Sequence, residues 1–222
     1  MLHHLHTTEP APNTKGRTIR WAGFYDILVT LLTFGQAPAI RATTAQQAQI
    51  KAGDRVLDVG CGTGDLTLVA KHRAGPTGQV FGLDPAPEMI EVARHKAARR
   101  SVEIDFRVGV IEALPFPDDY FDVALSSLMM HHLPDDLQSQ GLAEIHRVLR
   151  SPDPASGKPG GRLLVIDFKR PNSPAGRAFL LMHWGLKYGI QDLPAKLQAG
   201  GFTNITTSDT SFRMLGFAEA LK

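Results

Sequence analysis

The sequence predicts a doubly wound α/β domain, and three features carry that reading. Apolar residues alternate through Val56, Leu57 and Val59, then stop at Gly60, Gly62 and Gly64, after which Leu66 opens a helical stretch. A second alternating run, 79–84, ends in the carboxylate Asp84, which lies 20 residues after Gly64. Further short apolar runs at 102–108, 121–127 and 162–168 alternate with helical spacing. Strand, glycine turn, helix and a second strand ending in an acid form the nucleotide-site opening of such a sheet.

Length and composition bound the possibilities. A chain of 222 residues builds one full core, and two would be cramped. A net charge of +2 without a basic stripe argues against a nucleic-acid partner. Cys61 is the single cysteine, which excludes an internal disulfide and fits a cytoplasmic, reducing location. The longest apolar run, 27–34, is too short for a membrane span. Residues 1–16 read as a flexible tail rich in His, Thr and Pro, with no spacing that fixes a metal site.

Taken in order, Trp21, Phe24, Tyr25, Leu28, Leu31 and Leu32 recur at helical spacing until Gly35, and Pro38 opens a second helix that runs toward Gly53. The turn at 75–78 precedes the second strand. Asp84 is placed either to hold a vicinal diol or to cap the helix expected over 85–98. The strand at 121–127 runs into Leu128-Met129-Met130-His131-His132-Leu133, so its polar groups sit on the ligand side of the sheet. The helix at 135–150 carries acids in its first turn, Arg147 and Arg150 in its last, and an apolar face of Leu142, Ile145 and Leu149. The stretch 151–159 reads as an exposed insertion. Residues 171–189, with Phe179, Met182, His183, Trp184 and Tyr188, read as a substrate-covering helix or as core. A helix at 190–200 and strands at 202–207 and 212–217 complete the chain.

The ligand follows from charge. A dinucleotide fingerprint needs glycine or alanine where this chain has Asp65. Asp58 and Asp65 flank the turn, so a pyrophosphate would meet like charge and a cationic ligand would not. S-adenosylmethionine, with a sulfonium, an ammonium and no phosphate, fits that field. A nicotinamide-dependent oxidoreductase on a related sheet is the competing class, and Asp65 speaks against it.

The run Arg55-Val56-Leu57-Asp58-Val59-Gly60-Cys61-Gly62-Thr63-Gly64-Asp65-Leu66 resembles the first motif of class I S-adenosylmethionine-dependent methyltransferases. Gly82-Leu83-Asp84-Pro85-Ala86-Pro87-Glu88-Met89-Ile90 is similar to their second motif, and Leu114-Pro115-Phe116 and the histidine pair before Leu133 also match. The resemblance is continuous from about residue 52 through the fifth strand. It implies a Rossmann-like seven-stranded sheet, mostly parallel with one antiparallel strand, as a single domain over 17–222. Within that domain, lid helices (17–50) precede the α/β core (52–222).

The resemblance also implies S-adenosylmethionine as cofactor, with S-adenosylhomocysteine as product. Asp58, Gly60, Cys61, Gly62, Thr63 and Gly64 would hold its methionine part, with Asp84, Pro85 and Met89 at the ribose and adenine. The family's adenine-binding Asp is replaced here by Val110, which leaves the Ile111 N–H and Glu112 for the ring, with Ser127 at the end of the fourth strand.

The acceptor it implies is a small molecule methylated at oxygen, nitrogen or carbon by in-line displacement. Tyr25-Asp26 and the core motifs are similar to ubiquinone/menaquinone-type C-methyltransferases, which raises a quinone ring as the narrower reading. A non-catalytic S-adenosylmethionine binder is the alternative of another class. The chain lacks the Asn/Asp-Pro-Pro-Tyr/Phe signature of base-amine methyltransferases, and its one thiol argues against covalent attack on a pyrimidine. The expected base is His132, ahead of His131, because an imidazole titrates at about 6.5; Tyr25, from the lid, is the alternative polar group.

Overall fold

Period-two apolar patterning builds the sheet that the sequence predicts. The computed structural model describes residues 10–19, 22–171 and 188–222, together with the side chains of these residues except Phe24, Tyr25, Leu28 and Leu32. The strands are β1 (Arg55–Val59), β2 (Gln79–Asp84), β3 (Asp105–Val108), β4 (Val123–Ser127), β5 (Arg162–Phe168), β6 (Thr203–Asp209) and β7 (Leu215–Leu221). They form one sheet of seven in the order β3-β2-β1-β4-β5-β7-β6. β1 to β5 pair in parallel, and β7 runs antiparallel between β5 and β6. Strand order reverses between β1 and β4, which opens a crevice at their carboxyl ends.

Successive residues of each strand feed opposite faces, and helices cover both. They are α1 (Ala22–Leu32), α2 (Ala37–Gln47), α3 (Asp65–Ala74), α4 (Pro87–Arg99), α5 (Asp135–Val148) and α6 (Leu193–Ala199). Leu57, Leu163 and Val165 pack with Leu142, Ile145 and Leu197 of α5 and α6 on one face. Val56, Val80 and Leu164 pack with Ile40, Ala45 and Ala70 of α2 and α3 on the other. Each such side chain stabilises by about 1.5–3 kcal/mol when fully buried, so both layers fix the sheet that carries the crevice.

α2 packs Ile40 and Ala45 against α3 and the sheet. Three expectations shift. The third strand starts at Asp105 because the Val102 N–H still bonds the Ala97 carbonyl at the end of α4. The last strand starts at Leu215 because the Thr210 hydroxyl closes a turn on the Phe212 N–H at 3.0 Å. Arg147 stands in the last turn of α5 as expected and also bonds Glu144 and Asp118, whereas Arg150 lies beyond the helix end and bonds Asp122. The covering helix expected at 171–189, with Phe179, Met182, His183 and Trp184, lies outside the described residues.

Gly64 shows how tightly the first crossover packs. It has φ +79°, and a Cβ there would stand 2.9 Å from both the Ala93 Cβ and the Phe106 Cζ. Gly64→Ala is expected to lower stability by about 1–3 kcal/mol, read as a lower urea midpoint with an unchanged slope.

Candidate active site

The crevice is organised by the turn after β1. The N–H groups of Gly60 and Cys61 donate to the Leu83 carbonyl at 2.8 and 3.0 Å, which ties the turn to β2. At the end of β2, Asp84 accepts from the Gly62 N–H and the Ala86 N–H, both at 2.9 Å, one on each carboxylate oxygen. Each oxygen keeps a lone pair for a further donor. Asp84 is not the cap of α4; Ala86 occupies that position. Burial pushes its carboxyl up to about 6, against the two backbone hydrogen bonds.

Asp58, on β1, is 1% exposed. Its Oδ2 accepts from the Thr67 hydroxyl at 2.6 Å, while its Oδ1 is buried without a hydrogen-bond partner. Burial raises its pKa to about 7; the Thr67 bond opposes this and the Asp84 charge adds to it. A buried carboxylate oxygen with no donor is costly unless a ligand supplies one.

Two cavities meet at the turn, and Gly60, Gly62, Ser127 and Leu128 line both. The main cavity, about 720 Å³, is walled by Asp84, Pro85, Met89, Val110, Ile111 and Glu112. The second, about 570 Å³, is walled by Asp58, Cys61, Thr63 and Asp65, with Arg41 from α2. Gly60 has φ +73°, and a Cβ there would fall 2.4 Å from the Met129 Cγ. Leu128 carries φ +53°, a strained backbone for a branched side chain, at the point where β4 leaves the sheet.

Twelve of the thirteen expected cofactor residues therefore line one cavity or the other, and Gly64 lines neither. Its missing side chain serves helix–strand packing. Glu112 faces the main cavity but commits its Oε1 to the Thr14 hydroxyl at 2.6 Å. Thr14 and Gly16, expected at the end of a loose tail, belong with Ile19 to a strap over that cavity, and the Arg17 N–H donates to the His132 carbonyl at 3.3 Å.

The adjacent histidines separate. A short 3₁₀ turn, Met130–His132, points His131 away from the cavity, where its Nδ1 meets Asp167 Oδ1 at 2.7 Å. His132 lines the main cavity, its ring 3.9 Å from the His131 ring. Burial first, then the His131 charge, lowers its pKa to about 4, with Asp167 opposing and Arg17 adding. This corrects the expectation of an imidazole titrating near neutrality. Tyr25 lies on α1, and its side chain is outside the described residues. Asp167, Arg41 and the strap were not foreseen. Asp167 alone had a signal, as the one acid in the apolar strand β5.

Residues 56–152 match a family model described as a methyltransferase domain. The chain is 34% identical over 189 residues to the ubiquinone/menaquinone biosynthesis C-methyltransferase of Burkholderia vietnamiensis, covering 85% of this chain and 74% of that enzyme. It is 35% identical over 171 residues to the enzyme of the same name from Burkholderia mallei, covering 77% of this chain and 66% of the relative, just under two thirds. The chain belongs to the class I S-adenosylmethionine-dependent methyltransferases. The fold agrees: a methyltransferase crystal structure from Aquifex aeolicus superposes with a TM-score of 0.66 at 20% identity, covering 82% of this chain and 88% of that one.

The donor set of this methyltransferase fits its family's cofactor. Asp84 offers acceptors to a ribose diol, and the empty Asp58 Oδ1 suits an ammonium. Arg41 is the cation of the second cavity and suits a carboxylate, although it now pairs with Asp65 at 3.0 Å. Among the described residues no cluster of metal-ligating side chains occurs, and no helix is long and apolar enough to cross a membrane.

The raised Asp58 pKa has a definite sign in stability. Between the unfolded value of 3.8 and about 7, the native state holds a proton that the unfolded chain has released. The Asp58 contribution to ligand-free stability therefore falls as pH rises through this window. Urea midpoints from pH 5 to 8 should fall more, or rise less, with pH for the parent than for Asp58→Asn, because Asp84 and His132, whose lowered pKa acts with the opposite sign up to about pH 6.5, are common to both. Equal slopes would contradict the burial of an unpaired Asp58.

Proposed function

We propose that this protein transfers a methyl group from S-adenosylmethionine to a small-molecule acceptor. The observation that carries the reading is the buried, unfilled Asp58 oxygen beside a glycine turn whose neighbouring acid, Asp84, still has free lone pairs. The cofactor, when bound, supplies a methyl on a sulfonium for in-line displacement by the acceptor. The protein's part is alignment, and orientation can contribute on the order of 7–11 kcal/mol to lowering such a barrier. The glycine turn would hold the methionine end and Asp84 the nucleoside end, while Met129, Leu133 and Ile19 enclose the main cavity and limit water.

His132 is the group placed to take a proton or to hold a hydroxyl. Its lowered pKa keeps it neutral throughout the physiological range, so it adds no positive charge beside a sulfonium. The same shift makes it a weak base, so its contribution belongs at the low end of general-base catalysis. His131 is committed to Asp167 and takes no direct part.

A quinone ring methylated at carbon is the narrower reading. It is supported by the similarity to the Burkholderia ubiquinone/menaquinone biosynthesis C-methyltransferases and by the resemblance of Tyr25-Asp26 to that group. The test is S-adenosylhomocysteine formation from S-adenosylmethionine with hydroquinones, phenols, amines and carboxylic acids offered separately. Product is expected with at least one class, and His132→Ala should lower turnover about 10²-fold without changing cofactor affinity. The parent's turnover should show no inflection between pH 6 and 8 from this residue. Tight S-adenosylhomocysteine binding with no turnover on any class would instead indicate a non-catalytic binder.

A further inference from the structure

The second cavity has a roof as well as a floor. Its floor is the glycine turn, and its roof includes Val29 of α1 and Thr33 just past its end. Of the described α1 side chains, Ala22 packs on Ala86 and Met89, whereas Ile27 and Leu31 face outward, as does Phe34 just beyond the helix. Among the described residues, what joins α1 to the turn is polar. Asp26 accepts from the Thr63 hydroxyl at 2.6 Å on Oδ1 and pairs with the Lys96 Nζ at 2.6 Å on Oδ2.

Lys96, on α4, is the hub of this contact. Its Nζ also reaches Asp65 Oδ1 at 2.7 Å and the Thr63 hydroxyl at 2.9 Å. An ammonium has three donors, and all three are used on three different elements: α1, the glycine turn and the first residue of α3. Arg41 of α2 closes the set through Asp65 at 3.0 Å. Two acids and two cations therefore balance, with the Lys96 side chain 18% exposed and that of Asp26 37% exposed. Without the Lys96 charge, Asp26 and Asp65 would share the neighbourhood of Thr63 as like charges, and the contact that closes α1 would become repulsive.

We propose that Asp26 and Lys96 form a latch that couples closure of α1 to occupancy of the second cavity, with Lys96 the positioning residue for both the helix and the glycine turn. The proposal rests on the methyl-transfer reading only in taking that turn as the cofactor's seat. Lys96 and Asp26 act through Thr63 and Asp65. A ligand that settles on the turn fixes Thr63, and thereby the two donors that hold Asp26, the Thr63 hydroxyl and the Lys96 ammonium it touches. Linkage then requires that closing α1 strengthens ligand binding by the same factor that ligand binding favours closure.

Hydrogen exchange of the α1 amides, with and without saturating S-adenosylhomocysteine, reads the coupling without any acceptor. In the parent, ligand should slow exchange across α1 at least tenfold. In Lys96→Met, affinity should fall at least tenfold, and saturating ligand should no longer protect α1; Lys96→Arg should restore most of the protection. Asp26→Asn, which alters only the α1 side of the contact, should lose the same protection even if Lys96→Met does not fold. Ligand-dependent protection that survives in Asp26→Asn, or its absence from the ligand-bound parent, overturns the latch. A parent that does not bind S-adenosylhomocysteine at all overturns the methyl-transfer reading, and the latch with it.

Discussion

Two carboxylates buried at the carboxyl ends of neighbouring parallel strands are the constraint on which this site depends. Asp58 and Asp84 are 1% and 9% exposed, and among the described residues they receive only neutral donors: one hydroxyl and two backbone N–H groups. Burial raises both pKa values, so the ligand-free fold carries the cost of acids held away from water. The sheet bears that cost because β1 and β2 are locked on both faces by apolar layers. A ligand bringing an ammonium and a diol would relieve it. Site chemistry and fold energetics thus meet at the same two residues.

The parts of the site legible in the sequence are those whose partners lie close in the chain or follow a fixed βα spacing. The glycine turn, Asp84 and Met89 belong to two such units; the strand count follows from the same periodicity, while the reversed strand is what the family resemblance implies. Gly60 and Gly64 look alike in sequence, since both serve positive φ, but only the three-dimensional neighbours separate them. Gly60 opens both cavities, whereas Gly64 lets Ala93 and Phe106 close on the first crossover. The start of β7 was misplaced because Phe212 is apolar, and its side-chain-held turn at Thr210 has no periodic signature.

The histidine pair shows the limit of local reading in another way. Two adjacent imidazoles are equivalent by composition, and a single 3₁₀ turn sends one to a buried acid and the other into the cavity. The acid, Asp167, lies 36 residues from His131. Asp26 and Thr63 are 37 residues apart, and Thr63 and Lys96 are separated by 33. Such contacts are set by strand order and helix packing, which pattern alone does not resolve to single atoms.

The most direct test of the account is a crystal structure of the protein with S-adenosylhomocysteine bound. The amino nitrogen should donate to Asp58 Oδ1, directly at about 3 Å or through one ordered water, and both ribose hydroxyls should donate to Asp84. A nucleoside bound elsewhere, or an Asp58 Oδ1 left without a donor in the complex, would contradict it.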